Sequence, residues 1–329
     1  MKLVITIDTE EDNWGSYDSQ EYTLENIKNI PVLQELFDRF GVKPTYLITY
    51  PVAMHGGSLA ILKEIKDSNR CEIGTHCHPW NTPPLEEEKT ARNSMLCNLP
   101  PDLQYRKLNT LHEAIQKNFG TAPVSFRAGR WGYSKDVAKN ISQLGYAVDT
   151  SVTPYTDWSS YHGPDFTGAA PAPYRFIPED IFRASAAGRM IEIPATVGFL
   201  QSNFALSNTL LQRVSRSPFN KLHLVGILSR LYLLNKVWLS PEMSDAKSMI
   251  RVTRMMRKNR YPIVNMSFHS TSLKAGLSPF VKTDREERAF LERIRVYLEY
   301  AKNEGFEFSL LRDGLEPAHS HERDGMLTR

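Results

Sequence analysis

Short apolar runs alternate with helical periodicities along the first half of the chain. Residues 3–7 form a continuous apolar run of the kind found in buried strands, and residues 23–40 carry apolar side chains three and four positions apart. The same alternation continues, and the elements that it predicts are strands 44–49, 71–73, 124–127 and 146–149 and helices 59–66, 85–96, 102–119 and 135–144. Strands that alternate with helices predict an α/β protein with a parallel sheet and crossover helices.

The regular pattern stops after the strand at 146–149. Residues 153–179 are rich in Pro, Gly, Ser and aromatic residues, which predicts a long structured loop. Further on, the elements predicted are strands 190–193, 263–268 and 306–310 and helix 285–303. We therefore expect one domain over residues 1–315 and a polar, disordered tail over 316–329.

Residues 195–241 differ in composition from the rest of the domain. No Asp or Glu occurs between Glu192 and Glu242, and the basic residues in this stretch are Arg213, Arg216, Lys221, Arg230 and Lys236. Apolar residues lie near helical spacing, so the segment is predicted to be a basic helical insertion. Two interpretations are open: a helix packed on the domain, or a helix that binds a membrane surface or a partner.

Composition and charge exclude several classes of protein. The net charge of +3 is too small to indicate a nucleic-acid partner, and the apolar run at the N-terminus is too short for a signal peptide. No uninterrupted apolar stretch is long enough for a transmembrane helix. An odd number of cysteines (Cys71, Cys77 and Cys97) argues against a disulfide framework. We expect a cytoplasmic protein, with peripheral association with the inner membrane through 195–241 as the alternative.

His76 and His78 lie one residue apart, just beyond the predicted strand 71–73. Side chains at i and i+2 of an extended segment point the same way, roughly 6.6 Å apart along the chain, so modest bending brings both imidazoles to one cation. Cys77 points the other way and is predicted to be buried. Neutral imidazoles with a carboxylate are the usual ligands of an open catalytic zinc site.

Carboxylates follow the first predicted strand. Asp8 and Glu10 share one side-chain parity, so both can point into one cleft. Carboxylates at the C-terminal ends of parallel strands are typical of barrel active sites, whereas a solvated acidic turn is the alternative. The pattern leaves open whether Glu10 or Glu11 faces the histidines.

Two further strand ends carry candidate residues. Arg127 ends strand 124–127 and can hold a carboxylate ion-paired, and the backbone N–H groups near Ala128–Arg130 could serve as an oxyanion hole. His269 follows strand 263–268 and is placed for general acid or base catalysis. Each residue alone has a structural explanation, but four strand-end sites together predict an active site.

In this order the motifs resemble those of the polysaccharide deacetylase family of carbohydrate esterases, the NodB-homology group. The resemblance runs from about residue 1 to 312 and is carried by a D-x-E pair, the His pair after Glu-Ile-Gly, an Arg loop, an Asp-bearing strand and a late strand ending in His. The forms His-x-His-Pro-Trp and Phe-His-Ser-Thr-Ser-Leu look most similar to a divergent branch encoded with lipopolysaccharide and O-antigen biosynthesis genes.

The resemblance implies a distorted (β/α)7-type barrel, here with the basic helical insertion, that holds one divalent metal. Zinc is the first expectation, and cobalt, nickel and manganese are alternatives. By position, Glu10 and His76 match the family's metal ligands. The common family spacing H-x-x-x-H would place the second histidine where this chain has Trp80, so either His78 substitutes or the metal site is altered.

The resemblance also implies catalytic roles. Asp8 matches the catalytic base, Arg127 the residue that orients this base, and His269 the catalytic acid, while Asp149 lies in the fourth motif and is expected to support Arg127 or His269. The third motif lacks its usual proline near the arginine. In the fourth motif, Ser151 stands where a second acid is expected, and Asp157 is a candidate for the missing one.

The implied activity is removal of an acetyl group from an N-acetylated amino sugar, linked to a nucleotide or a lipid, in surface polysaccharide or lipopolysaccharide biosynthesis. Two alternatives stay open. One is a hydrolase of another non-peptide C–N bond on the same barrel, and the other is a degenerate barrel that binds a glycan without catalysis.

Overall fold

A computed structural model describes residues 1–12, 15, 17, 22–215, 224–231 and 233–314, so the predicted tail 316–329 lies outside the described residues. The strands are β1 (Lys2–Thr9), β2 (Thr45–Ile48), β3 (Glu72–Cys77), β4 (Ser125–Ala128), β5 (Val148–Asp149), β6 (Tyr174–Phe176), β7 (Met190–Glu192), β8 (Val197–Phe199), β9 (Lys236–Trp238), β10 (Ile263–His269) and β11 (Glu307–Ser309). The α-helices are α1 (Ile30–Phe40), α2 (Tyr50–Met54), α3 (Gly56–Asp67), α4 (Pro101–Phe119), α5 (Lys135–Gln143), α6 (Phe204–Ser215), α7 (Leu224–Arg230), α8 (Ala246–Lys258) and α9 (Asp284–Asn303).

The main sheet is curled and carries helices around it. Its strand order is β10-β1-β2-β3-β4-β5-β7-β6, with β11 also paired to β1. Every pair from β10 to β7 is parallel, and only β6 runs antiparallel to its neighbour. Parallel strands covered by crossover helices are buried on both faces, which explains the continuous apolar runs in the sequence. The predicted distorted (β/α) barrel is thereby confirmed.

Strand β1 pairs with β10, β11 and β2 and is buried along its whole length. It pairs with β10 from Lys2 opposite Ile263 to Asp8 opposite His269. Farther along the sheet, His76 of β3 lies opposite Arg127 of β4. Because the carboxyl ends of parallel strands meet at one edge, this register collects four of the predicted site residues there.

Several predicted elements differ from the structure, and the loop predicted over 153–179 contains strand β6. The strand predicted at 71–73 continues to Cys77, so His76 lies within β3 rather than after it. The helix predicted over 85–96 is wrong, because this stretch forms turns and ends in a short 3-10 helix, Leu96–Asn98. Leu85 is 49% exposed, whereas Met95 and Leu96 are buried, so only the C-terminal end of this stretch packs into the core.

The turn segment is held instead by a buried lysine on α4. The Lys107 ammonium is fully buried and donates to the carbonyl oxygens of Pro79, Thr82 and Pro84 at 2.9, 2.8 and 2.7 Å. The carboxylate of Glu87 lies 2.8 Å from the same nitrogen. These contacts anchor the chain that leaves β3 just after His78.

The predicted insertion 195–241 begins and ends with short strands. β8 and β9 form a separate antiparallel ribbon, and α6 and α7 lie between them in sequence. Phe204 of α6 is buried, and its ring packs against Phe199 and Tyr155. In the part of the chain described, no helix is long and apolar enough to span a membrane.

Replacing Lys107 with Met should lower the free energy of unfolding by about 3–5 kcal/mol, because the change leaves a buried carboxylate and three carbonyl oxygens without their donor. Urea denaturation followed by circular dichroism measures this. Lys117→Met on the exposed side of the same helix is the control and should change stability by about 0.5 kcal/mol or less. Equal stability of the two variants would show that the anchor contributes nothing.

Candidate active site

The site lies at the carboxyl edge of the sheet, where four strands deliver polar side chains. Asp8 comes from β1, His76 from β3, Arg127 from β4 and His269 from β10. Asp8, His76 and Arg127 are each at most 3% exposed. The structure therefore brings together residues that are far apart in sequence, as the strand-end pattern predicted.

Glu10, His76 and His78 form a compact group of possible metal ligands. One oxygen of Glu10 lies 2.9 Å from His78 Nε2 and 3.7 Å from His76 Nε2. All three ligand atoms lie within 4.8 Å of one another. His76 Nδ1 lies 3.2 Å from the carbonyl oxygen of Arg127, which fixes the ring so that Nε2 faces the group.

The charge state of this group suits a cation. Burial opposes ionisation of Glu10, but hydrogen bonds from His76 and His78 outweigh burial and lower the pKa of the carboxyl. Burial, together with the nearby His76, lowers the pKa of His78 and favours the neutral imidazole. Two imidazole nitrogens and one carboxylate oxygen, all in a buried pocket, are a donor set that fits a divalent metal.

Glu11 points to other partners. Its carboxylate accepts hydrogen bonds from Asn81 Nδ2 at 2.6 Å and from Thr49 Oγ1 at 3.1 Å. Of the two glutamates that the sequence left open, Glu10 is therefore the one that contacts the histidine pair.

Asp8 is held by a fully buried arginine. Arg127 Nη1 donates to Asp8 Oδ1 at 2.5 Å, and its other nitrogens donate to Thr6 Oγ1 at 2.6 Å and to the carbonyl oxygen of Thr150 at 3.1 Å. Burial would raise the pKa of Asp8, but the charge of Arg127 overcomes it and the net pKa is lowered. Asp8 Oδ2 lies 3.9 Å from His76 Nε2 and 3.7 Å from His269 Nε2.

His269 has a carboxylate partner that the sequence analysis did not identify. Glu242 accepts a hydrogen bond from the backbone N–H of His269 at 3.1 Å, and its second oxygen lies 3.0 Å from His269 Nδ1. The Ser272 hydroxyl donates to the same carboxylate at 2.5 Å. One sequence signal was available, because Glu242 is the first acidic residue after Glu192.

Glu242 determines the charge of the His269 ring. Burial alone would lower the pKa of His269, but the charge and hydrogen bond of Glu242, with smaller effects from Glu10 and Asp8, raise it to about 10. The ring is therefore an imidazolium at neutral pH. An imidazolium next to a carboxylate base is the protonation pattern that general acid–base catalysis needs.

Asp149 supports the site indirectly. Its carboxylate accepts from the backbone N–H and the hydroxyl of Ser151 at 3.1 and 2.7 Å, and the Ser151 oxygen in turn accepts from the N–H of Ala128 at 2.8 Å. Asp149 is also close enough to Arg127 for their charges to interact. Because the N–H of Ala128 is occupied, it is not available for the predicted oxyanion hole. Asp157, the candidate for the missing acid, bonds locally to the N–H of Ser159.

A cavity of about 410 Å³ opens above these residues. Four of the five tryptophans of the chain line it: Trp80, Trp131, Trp158 and Trp238. The polar floor therefore lies beneath large flat apolar walls. Aromatic residues from three different loops and from β9 meet here only in the folded chain, so their spacing in the sequence did not reveal them.

The loop after β4 fits tightly beneath this cavity. A Cβ atom at Gly129 would lie 2.4 Å from His78 Nδ1, so only glycine allows this approach. Arg130 and Trp131 adopt positive φ angles of 53° and 61°, which are uncommon for residues with side chains. The Trp131 ring stands 6.0 Å from that of Trp238. Such local strain is frequent where a functional side chain must be aimed.

Comparisons with known proteins find a likeness in fold to solved structures. No family model and no curated protein matches the sequence. Among solved structures, a "putative glycoside hydrolase/deacetylase" from Parabacteroides distasonis superposes with a TM-score of 0.59 at 10% identity, over 95% of this chain and 70% of that one. A 4-alpha-glucanotransferase from Thermococcus litoralis gives a TM-score of 0.55 at 12% identity, over 97% of this chain and 40% of that one.

The likeness in fold rests on these two structures, whose TM-scores exceed 0.5. A family 4 acetyl xylan esterase from Clostridium thermocellum, solved with cobalt, also matches, with a TM-score of 0.45 at 13% identity over 95% of this chain and 90% of that one. The resemblance to the polysaccharide deacetylases that the motifs predicted is confirmed at the level of the fold.

Replacing one of the grouped ligands should abolish tight binding of a divalent metal. We expect isothermal titration with Zn²⁺ or Co²⁺ to show one site in the native protein. We expect His78→Ala or Glu10→Gln to weaken it by more than the about 10–100-fold typical of outer-sphere changes. Glu11→Gln is the matched control, because its carboxylate bonds to Asn81 and Thr49. Unchanged affinity in both ligand variants would remove them from the site.

Proposed function

We propose that the protein is a metal-dependent N-deacetylase that removes an acetyl group from an N-acetylated amino sugar. One observation carries the proposal: an ionised carboxylate, an imidazolium and a group of two imidazoles with a carboxylate line the floor of one cavity. Asp8 Oδ2 lies within 3.9 Å of His76 Nε2 and 3.7 Å of His269 Nε2. All act on a ligand in the same cavity.

Glu10, His76 and His78 would hold the metal, which we propose to be zinc. When bound there, such an ion supplies Lewis acidity towards a carbonyl oxygen and towards water. The donor set also suits cobalt, nickel or manganese, so metal analysis of the purified protein identifies the ion.

Asp8 is proposed as the base. Arg127 binds Asp8 Oδ1 and keeps the group ionised, which leaves Oδ2 directed at the cavity floor. In this role Asp8 takes a proton from the attacking water. Arg127 orients the carboxylate but does not itself contact the substrate's reacting atoms.

His269 is proposed as the acid. It begins as imidazolium because Glu242 and Ser272 stabilise its charged form, and its Nε2 faces the cavity. Amide hydrolysis adds hydroxide to the acetyl carbon and breaks the C–N bond, and His269 delivers the proton that the leaving amine needs. Acetate and a free amino sugar are the products.

The tryptophan walls support a sugar as substrate. The C–H faces of a pyranose ring are apolar and flat, so they pack well against aromatic rings such as Trp131, Trp158 and Trp238. We propose that the sugar is carried on a nucleotide or a lipid and that the reaction serves surface polysaccharide or lipopolysaccharide biosynthesis in the cytoplasm. The motif forms in the sequence support this setting.

The product released from the substrate distinguishes this function from its alternatives. Native protein loaded with Zn²⁺ should release acetate from at least one member of a panel of N-acetylated sugars. Release of ammonia, or ring opening of a cyclic amide, would instead indicate a hydrolase of another C–N bond. Binding of a glycan with no turnover and no bound metal would indicate the degenerate barrel.

Asp8→Asn should lower kcat for acetate release by about 10²–10⁴-fold, because the amide cannot accept the proton from water. The fold should persist, which circular dichroism checks. Asp157→Asn, a change at an exposed carboxylate outside the cavity, is the control and should retain full activity. A fully active Asp8→Asn enzyme would exclude Asp8 as the base.

Glu242→Gln should move the alkaline limb of the pH profile to lower pH. An acid catalyst is active only while protonated, so activity is lost as pH rises through the pKa of His269, which is about 10 with Glu242 in place. Without this carboxylate the pKa falls, so the variant should lose activity near pH 8 yet keep more of it near pH 6. A uniform loss at every pH would indicate a purely structural role for Glu242.

A further inference from the structure

Helices α6 and α7 present apolar side chains to solvent. Among the described side chains between residues 204 and 233, the exposed large apolar residues are Leu206 (65%), Leu210 (39%), Ile227 (50%), Leu231 (61%) and Leu233 (58%). We call this surface the α6–α7 face. Single exposed apolar residues are ordinary, but several on two adjacent helices mark an interaction surface.

Basic residues continue both apolar stripes. On α6, Leu206, Leu210 and Arg213 lie four and three residues apart, and therefore on one side of the helix. On α7 and the residue that follows it, Arg230 and Leu231 lie three and four residues after Ile227, and therefore on one side of the helix. Both arginines are exposed. Each helix thus presents leucine or isoleucine together with a cation.

The face carries positive charge with no acidic side chain of its own. Residues 193–241 contain no Asp or Glu. An isologous contact with a second copy would therefore bring cations against cations. A surface of anionic lipid headgroups above an apolar layer complements both features, because arginines attract the headgroups while leucines enter the acyl boundary.

The face is connected to the catalytic cavity. The segment between β8 and β9 contributes both helices, and β9 itself places Trp238 in the cavity wall. On the same side of β9, Lys236 Nζ donates to the carbonyl oxygen of Tyr155 at 3.0 Å, in the loop that carries Trp158. The cavity and the α6–α7 face are therefore built on a shared set of packed elements.

We propose that the α6–α7 face docks the protein on an anionic membrane surface. The protein lies on the bilayer and does not span it, and the aromatic cavity is held near the headgroups. This inference goes beyond the proposed reaction and does not require it.

Flotation of full-length protein with vesicles tests the proposal. Native protein should float with vesicles of phosphatidylcholine and phosphatidylglycerol and not with phosphatidylcholine alone. Binding should fall at about 1 M salt, where the Debye length is about 3 Å. Arg213→Gln and Arg230→Gln should each weaken partitioning by about fivefold, and Leu231→Asn by about tenfold.

The matched controls change equivalent residues elsewhere on the surface. Lys117→Gln and Lys139→Gln remove exposed charges on α4 and α5, and Val32→Asn changes a 55% exposed apolar residue on α1; all three should bind as the native protein does. Equal loss in these controls, or no flotation of native protein, would overturn the proposal. The proposal would also be overturned if light scattering showed that the native protein is a dimer, that Leu231→Asn breaks this dimer, and that the native protein does not bind vesicles.

Activity assays keep this inference separate from the proposed function. Acetate release from a water-soluble N-acetylated sugar should be unchanged in the α6–α7 variants, because none of these residues lines the cavity. Vesicle binding without turnover would leave the docking inference standing while the proposed reaction fails. Turnover without vesicle binding would leave the proposed reaction standing while the docking inference fails.

Discussion

A buried guanidinium joins the strands on which the site is built. Arg127 leaves β4, is fully buried, and reaches across to Thr6 and Asp8 of β1, two strands that are not neighbours in the sheet. A charge removed from water in this way is stable only when its donors are paired and a counter-charge is near. The carbonyl oxygen of Thr150, beyond β5, satisfies a further donor. The contact between β4 and β1 and the ionisation of Asp8 therefore depend on the same side chain.

The segment from residue 193 to 242 serves the site from outside the regular barrel. It adds Trp238 to the cavity wall and Glu242 beside His269, and it exposes the apolar and basic face of α6 and α7. The same segment thus supplies a wall of the cavity, the carboxylate that raises the pKa of His269, and an exposed apolar and basic surface.

The predictions from sequence succeeded where one local pattern was sufficient. Continuous apolar runs indicated the buried parallel strands, and the period of two in β1 and β3 placed Asp8 with Glu10 and His76 with His78 on common sides. The helix predicted over 85–96 was wrong, because only Met95 and Leu96 at its C-terminal end pack into the core and Lys107 binds the carbonyl oxygens of the turn that precedes the stretch. Local periodicity carries no information about such a distant anchor.

The sequence by itself determined the succession of strands along the chain, the strand-end positions of the acids and histidines, and a basic segment without acidic residues. The tertiary structure decided which glutamate contacts the histidines, since Glu11 bonds to Asn81 while Glu10 meets His78. It also paired His269 with Glu242 rather than with Asp149, and it collected four tryptophans around one cavity. These are contacts between residues distant in sequence, and only the closure of the curled sheet fixes their distances.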